Sequence, residues 1–358
     1  MRTKLVSNVV LTAAQAKASY RALGEMKNGK AVFEIPARSP LNFKSAFRHK
    51  GLCDGSTMSL DLTCRFSCSF CFVQSLLSRH PAVLRIQKET GLAFHEFAVT
   101  KEDPLPLLRR KLIGRDGERK FPDPNDNRVV FASPLMDIGA NLFTAQQTIE
   151  ACRMILEHTN WQIRLLSKSA LLLSIAKGLV DYRSRVIYGL STGTLDDRLA
   201  ASFEVHTSSP TARLRTLHWL QDEGFRVFAM ICPSLPQDDY LHFAGSIADA
   251  VRVDKCEHVW AEVFNVRGKS LTRTCAALES AGFTAEAHSL TAVSGVKNRE
   301  SWETYARQTF LAHSSFVSPE KLRFMQYVRP ETAGWWNERK RLGVVLLGKS
   351  ASVVTEII

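Results

Sequence analysis

Cys64, Cys68 and Cys71 stand in the segment CRFSCSFCF, three thiols within eight positions of a 358-residue chain that has eight cysteines in all. The C-x3-C-x2-C spacing is not that of a structural zinc site, which wants four ligands. A C-x-x-C pair beside a βα unit would suit thioredoxin-like exchange, but Cys64 is then surplus, and Ser69 and Phe70 stand where a Pro or Gly belongs. Iron–sulfur clusters normally use four cysteines. Three closely spaced thiolates can hold three irons of a four-iron cluster and leave the fourth open, like the open position of a catalytic metal. Packing of three structural thiols is the bland alternative. Cys53, Cys152, Cys232, Cys256 and Cys275 are scattered, with no second compact pair for an auxiliary cluster. Cys152 and Cys232 lie in apolar runs and read as core thiols.

Short β-rich runs alternating with helical stretches must position these groups. STMSLDLT (56–63) reads as a strand ending at Cys64, followed by RVVFAS (128–133), WQIRLLS (161–167), RVIYGLS (185–191), FRVFAMICP (225–233) and HVWAEVFN (258–265). Helices are expected near 144–158, 168–181, 209–223, 239–251 and 269–282. The third is the best bounded: Ser209 caps it, Pro210 suits its first turn and Gly224 ends it. Such alternation predicts an α/β fold with a parallel sheet, a partial, open (β/α)6 barrel over 55–267. Residues 1–54 read as a basic, irregular N-terminal extension. Residues 268–358 read as a C-terminal extension, helical and then irregular, packing on the barrel. Barrel active sites lie at the C-terminal strand ends, where Cys64, Ser133, Ser167, Ser191, Pro233 and Asn265 fall.

The formal net charge is +12, which permits a polyanionic partner, nucleic acid above all. The stretches FKSAFRHK (43–50), LLRRKLIGR (107–115) and WWNERKR (335–341) are either base-stacking and phosphate-holding segments or solvated helix faces. No run of apolar residues is long enough for a membrane span. The N-terminus lacks an uninterrupted apolar signal core, so a cytoplasmic location is expected (host cytoplasm for a viral protein), with no membrane partner and a monomer.

The cysteine segment, with Phe70 before the third cysteine, resembles the signature of the radical S-adenosylmethionine (radical SAM) superfamily. CSFCFVQ (68–74), LLSKS (165–169) and FEVHTSSPTARLRTLHWLQDEGFRVFAMICPSLP (203–236) resemble, in order, segments of its spore photoproduct lyase-like branch. The resemblance implies a radical SAM barrel holding a 4Fe-4S cluster on Cys64, Cys68 and Cys71, with SAM chelating the open iron. One electron from the reduced cluster then cleaves SAM to a 5′-deoxyadenosyl radical, which abstracts hydrogen from an unreactive C–H bond. An external donor such as flavodoxin or ferredoxin is implied. By the same resemblance Lys168 contacts the SAM carboxylate, and Ser133, Ser167 and Ser191 lie at SAM-facing strand ends. The bland alternatives are a solvated helix-start residue for Lys168 and simple caps for the serines. Glu204 and Arg213 read as a supporting pair beneath the site.

Lyases of that branch use a cysteine after the second strand as hydrogen donor to the product radical. The matching stretch, FASPLMDIG (131–139), contains none. An isomerase needs no such thiol, because hydrogen can return from 5′-deoxyadenosine. The expectation is therefore an isomerase-type hypermodification of a thymine-derived base in DNA. The alternatives are a spore photoproduct lyase-like repair enzyme, a radical SAM modifier of tRNA or peptide, and a non-catalytic nucleic-acid-binding cluster protein. Cys53, in GLCDGS, and Tyr188, on a strand, are the candidate catalytic residues if a protein group does return hydrogen.

Overall fold

A computed structural model describes residues 19–132, 134–294 and 299–348; Ser133 lies outside the described residues. Eight strands form the frame: β1 (Ser56–Met58), β2 (Val129–Ala132), β3 (Gln162–Ser167), β4 (Val186–Ser191), β5 (Arg226–Ser234), β6 (Val259–Val263), β7 (Leu322–Tyr327) and β8 (Val344–Leu347). They lie side by side in chain order, all parallel, with Leu41–Asn42 added antiparallel outside β1. Each parallel step needs a crossover connection, and helices at Leu142–His158, Leu172–Gly178, Pro210–Asp222 and Tyr240–Val251 supply four of them. Side-chain caps fix where three of these begin. Asn141 accepts from Thr144 N at 2.8 Å, Ser209 from Ala212 N at 3.3 Å and Asp239 from His242 N at 2.9 Å.

Alternate strand residues face opposite sides. Outward residues such as Ile163, Leu165, Val227 and Ile231 join the core that includes the helices. Inward residues Phe131, Ile187, Phe228, Trp260, Met325 and Leu347 join one cluster with Phe47, Leu52 and Cys53. The turn Ala46–Lys50 touches distant strands at once: Phe47 packs on Phe131 of β2, ring centroids 5.5 Å apart, and Lys50 O accepts from Trp260 Nε1 of β6 at 2.9 Å. In a flat sheet β2 and β6 would be four strand spacings apart, about 19 Å. The sheet therefore curls around this turn, and its two edge strands are not paired with each other among the described residues. Gly189 permits the curl locally, since a Cβ there would lie 2.1 Å from the Phe228 ring.

Two regions differ from the sequence reading. The tail supplies two more parallel strands, β7 and β8, where irregular chain was expected. The N-terminal segment is not irregular either: Arg21–Glu25 and Ala31–Pro36 form a hairpin, and the latter pairs in parallel with Phe97–Glu102. These strands are short, and Ala31–Pro36 and β7 pair with the distant Phe97–Glu102 and β6, so no local pattern announces them. The stretch 335–341 is no free stacking platform. Trp336 is fully buried, stacked on Phe324, and Trp335 is covered by the Arg339 and Arg307 guanidinium groups at 3.7 and 4.7 Å. No helix among the described residues is long and apolar enough to cross a membrane.

Cys152 and Cys256 are buried in the helix–sheet core, and burial raises both thiols, Cys256 to about 12. In the unfolded chain a thiol ionises near pH ~8.5. A raised folded pKa lends stability that is present below the unfolded value and lost as pH climbs above it. The loss is about 1.4 kcal/mol per pH unit for each thiol. The urea midpoint of the metal-free chain should therefore fall between about pH 8.5 and 10, and Cys152→Ala should make that fall shallower. A midpoint independent of pH over this range would contradict the assignment.

Candidate active site

After β1 the chain crosses to the side sheet and is pinned there. Leu62 N and Thr63 N donate to Val99 O at 3.0 and 3.2 Å, and Val99 N donates to Thr63 Oγ1 at 2.8 Å. Asp61 accepts from Thr100 Oγ1 at 2.5 Å and pairs with Arg65 at 3.4 Å. Further on, Ser67 and Cys68 form a short antiparallel ladder with Val205 and Glu204, and Ser69 N donates to Phe203 O at 2.9 Å. Phe70 meets Phe203 edge-on at 5.7 Å. Held from both sides, the loop turns Cys64, Cys68 and Cys71 toward a single small cavity, shared with Lys30, Phe66, His95 and Arg273.

All three thiols are free. Burial raises each of them. Cys64 reaches about 12, with Asp137 adding to the effect and Lys30 opposing it. Cys68 is raised well above its usual value, with Glu204 adding and Lys168 opposing. The metal-free site therefore holds protons that a metal must displace. Among the described residues no group of three His, Cys, Asp or Glu side chains stands placed to hold a metal ion. A zinc site draws its ligands to about 2.0–2.3 Å of one ion, whereas an iron–sulfur cluster spreads its thiolates over separate irons. Three thiols around one cavity fit the second arrangement.

The strand ends beside this loop are tied together by Asp137, which the sequence reading passed over. Its carboxylate accepts from Ser167 Oγ at 2.6 Å, Lys168 N at 2.7 Å and Gly139 N at 2.8 Å, while its own N–H donates to Cys64 Sγ at 3.4 Å. Lys168 Nζ donates to Glu204 Oε1 at 2.6 Å and to Cys232 O at 2.9 Å, and lies 5.4 Å from the centroid of Phe70. The other Glu204 oxygen takes Arg213, whose remaining N–H groups donate to Ser208 O, Ser191 O and Thr207 Oγ1. Ser191 Oγ donates to Cys232 O at 3.2 Å. Ser167, Lys168 and Ser191 thus stand together at the C-terminal strand ends, with Glu204 and Arg213 buried beside them. The Lys168 ammonium is a bonded group rather than a solvated one.

The same end of the sheet presents further inward groups that the sequence reading did not single out. Cys232 continues the inward series Phe228, Met230 on β5, and its thiol donates to Glu262 Oε2 of β6 at 3.7 Å. It packs against the inward cluster, as its apolar run suggested, but is only half-buried there. Glu262 also accepts from Asn265 Nδ2 at 2.6 Å and lies 4.0 Å from Lys50 Nζ, which sits within 5.8 Å of the Phe47, Phe72 and Tyr327 rings. The available signal was a lone carboxylate at inward parity in the strand HVWAEVFN. The two candidate catalytic residues lie elsewhere. Tyr188 has outward parity on β4 and packs on Phe225 in the helix-side core. Cys53 lies at the opposite end of the strands, since its neighbour Asp54 pairs with Val129, the first residue of β2.

No family model and no curated protein matches the sequence. Among solved structures, a cysteine-to-serine variant of spore photoproduct lyase is similar at a TM-score of 0.53 and 11% identity, over 82% of each chain. A tyrosine-to-phenylalanine variant of the same enzyme is similar at 0.52 and 11%, over 81% of each chain. Streptococcus suis SuiB bound to S-adenosylmethionine matches at a TM-score of only 0.34 and 13% identity, over 63% of this chain and 46% of its own, and carries no weight. The curled parallel sheet and its helices are therefore the fold of spore photoproduct lyase.

Proposed function

We propose that this chain is a radical SAM enzyme. The observation that supports it best is the set of three thiols, with no fourth, lining one cavity at the C-terminal end of a curled parallel sheet. Cys64, Cys68 and Cys71 would hold a 4Fe-4S cluster and leave one iron for SAM. Together the two groups supply a 5′-deoxyadenosyl radical able to remove hydrogen from an unreactive C–H bond. The chain's own residues bind and orient. Lys168, with Ser167, Ser191 and Ser133, would hold SAM at the strand ends. Asp137 fixes the backbone from which Lys168 projects, Glu204 fixes its ammonium, and Arg213 fixes Glu204.

The finer reading is an isomerase acting on a thymine-derived base in DNA, with flavodoxin or ferredoxin as electron donor. Its support is the net charge of +12 and the absence of cysteine from the loop after β2. Cys232 favours a second reading, a lyase-like reaction in which a thiol returns hydrogen, because it lies on the inward face beside Glu262. Turnover on thymine-derived DNA in deuterated water, read by mass spectrometry of the nucleosides, separates them. The isomerase reading expects a modified nucleoside without solvent deuterium, and an unimpaired Cys232→Ala. Solvent deuterium in the product, lost in Cys232→Ala, would establish the second reading instead. Unmodified nucleosides from an enzyme that cleaves SAM would move the substrate out of DNA.

A further inference from the structure

Lys30 is 4% exposed, yet it has no carboxylate partner among the described residues. Its ammonium donates to two carbonyls of the cysteine loop, Cys64 O at 3.1 Å and Phe66 O at 2.6 Å. The groups near it that carry negative charge when ionised are the thiols of Cys64, Cys71 and Cys68. Arg273 lines the same cavity from the opposite side of the chain, on the helix Ser270–Ser280 beyond β6. Its Nη2 donates to Ser69 O at 2.6 Å, the neighbouring Thr274 hydroxyl meets Ser69 Oγ at 2.8 Å, and its Nε is buried with no partner. The acidic neighbour of Arg273 is again a thiol, that of Cys71.

A buried charge without a counter-ion is among the costlier features a fold can carry. Lys30 is such a charge, and Arg273, half-buried with an unpartnered buried Nε, adds a second cation to the same cavity, so the two point to an anion that belongs between them. Three thiolates would bring three negative charges into the cavity, and reduction of a cluster held there adds one more. We infer that Lys30 and Arg273 are the fixed counter-charges of the cluster, raising its reduction potential, with the Arg273 Nε–H donating to a cluster or thiolate sulfur. A cation at fixed distance stabilises the more negative, reduced state by Coulomb attraction, which is strong where water is excluded. Both residues come from outside the central strands, so the N-terminal hairpin and the C-terminal helices would complete the cluster site rather than merely flank it. This inference rests on the cluster reading above.

The test uses the full-length chain, anaerobically loaded with iron and sulfide, without SAM or substrate. Wild type, Lys30→Gln, Lys30→Arg, Arg273→Gln and Arg273→Lys are compared by iron and sulfide content. Midpoint potentials come from dithionite titrations followed by electron paramagnetic resonance. Each glutamine variant should load iron, show a midpoint shifted to more negative potential, and lose iron to a chelator several-fold faster. The charge-keeping variants should return close to wild type, which a merely structural role would not require. Should Lys30→Gln fail to fold, Arg273→Gln alone decides, because its side chain belongs to a different element. Glutamine variants that load fully at the wild-type midpoint would overturn the counter-charge inference and leave the cluster reading standing. A wild-type chain that takes up no iron would overturn both.

Discussion

Replacing any one of Cys64, Cys68 or Cys71 with alanine is expected to abolish cluster loading and SAM cleavage together. The reason is the arithmetic of the site: three thiols line the cavity and no fourth cysteine does. Cys53, Cys152, Cys256 and Cys275 are placed in other parts of the fold, and Cys232, though at the neighbouring strand ends, turns its thiol to Glu262 and does not line the cavity. His95 is the imidazole in the lining, and burial lowers its pKa, leaving it neutral and able in principle to ligate. In this account it does not, so His95→Ala should keep both iron and SAM cleavage. A single-cysteine variant with full iron and turnover would contradict the ligand assignment. Loss of the cluster in His95→Ala would close the open iron position on which the mechanism depends.

The second large effect concerns Glu204. Its side chain and that of Arg213 are each 1% exposed, and Lys168 takes its remaining oxygen. Glu204→Gln leaves Arg213 buried and charged without a counter-charge, which typically costs about 3–5 kcal/mol. Against a total stability of about 5–15 kcal/mol, such a loss should lower the urea midpoint markedly. It should also weaken SAM binding, because Lys168 loses its anchor. Removing both charges in Glu204→Gln/Arg213→Met should be milder for stability than Glu204→Gln alone, since the fully buried guanidinium is gone and only the partly exposed Lys168 ammonium is left unpaired, yet should leave SAM binding impaired. If Glu204→Gln lies within about 1 kcal/mol of wild type, the pair is not the keystone described here.

Much of this was legible in the sequence because it is local. Each expected strand from 128 to 265 lies within a few residues of its position in the structure, and the helix at Pro210–Asp222 begins and ends where Ser209 and Gly224 predicted. The first expected strand stops at Met58 instead of running to Cys64, because Leu62 and Thr63 bond to Val99 of the other sheet. Helix Leu172–Gly178 starts later than expected because residues 168–171 are held in the site loop, with Ser169 N on Ser167 Oγ and Ala170 N on Ser208 Oγ. What escaped depends on distant partners. The side sheet needs Phe97–Glu102 to define it, and β8 needs β7. Asp137 looked like one loop carboxylate among many until the fold joined it to Ser167, Lys168 and Cys64. Lys30 and Arg273 lie on segments 243 positions apart, and only the folded chain sets both beside the same thiols. Parity does identify Cys232 and Glu262 as inward residues, but only once the flanking strands are known to curl.

The central claim is that three thiols and an open iron site make this chain a SAM-cleaving enzyme. The most direct measurement is the yield of 5′-deoxyadenosine from anaerobically loaded, full-length protein given SAM and dithionite. The account predicts that 5′-deoxyadenosine and methionine form in equal amounts, and that neither forms with any of the three cysteine-to-alanine variants. Iron-loaded wild-type protein that binds SAM and yields no 5′-deoxyadenosine would contradict it.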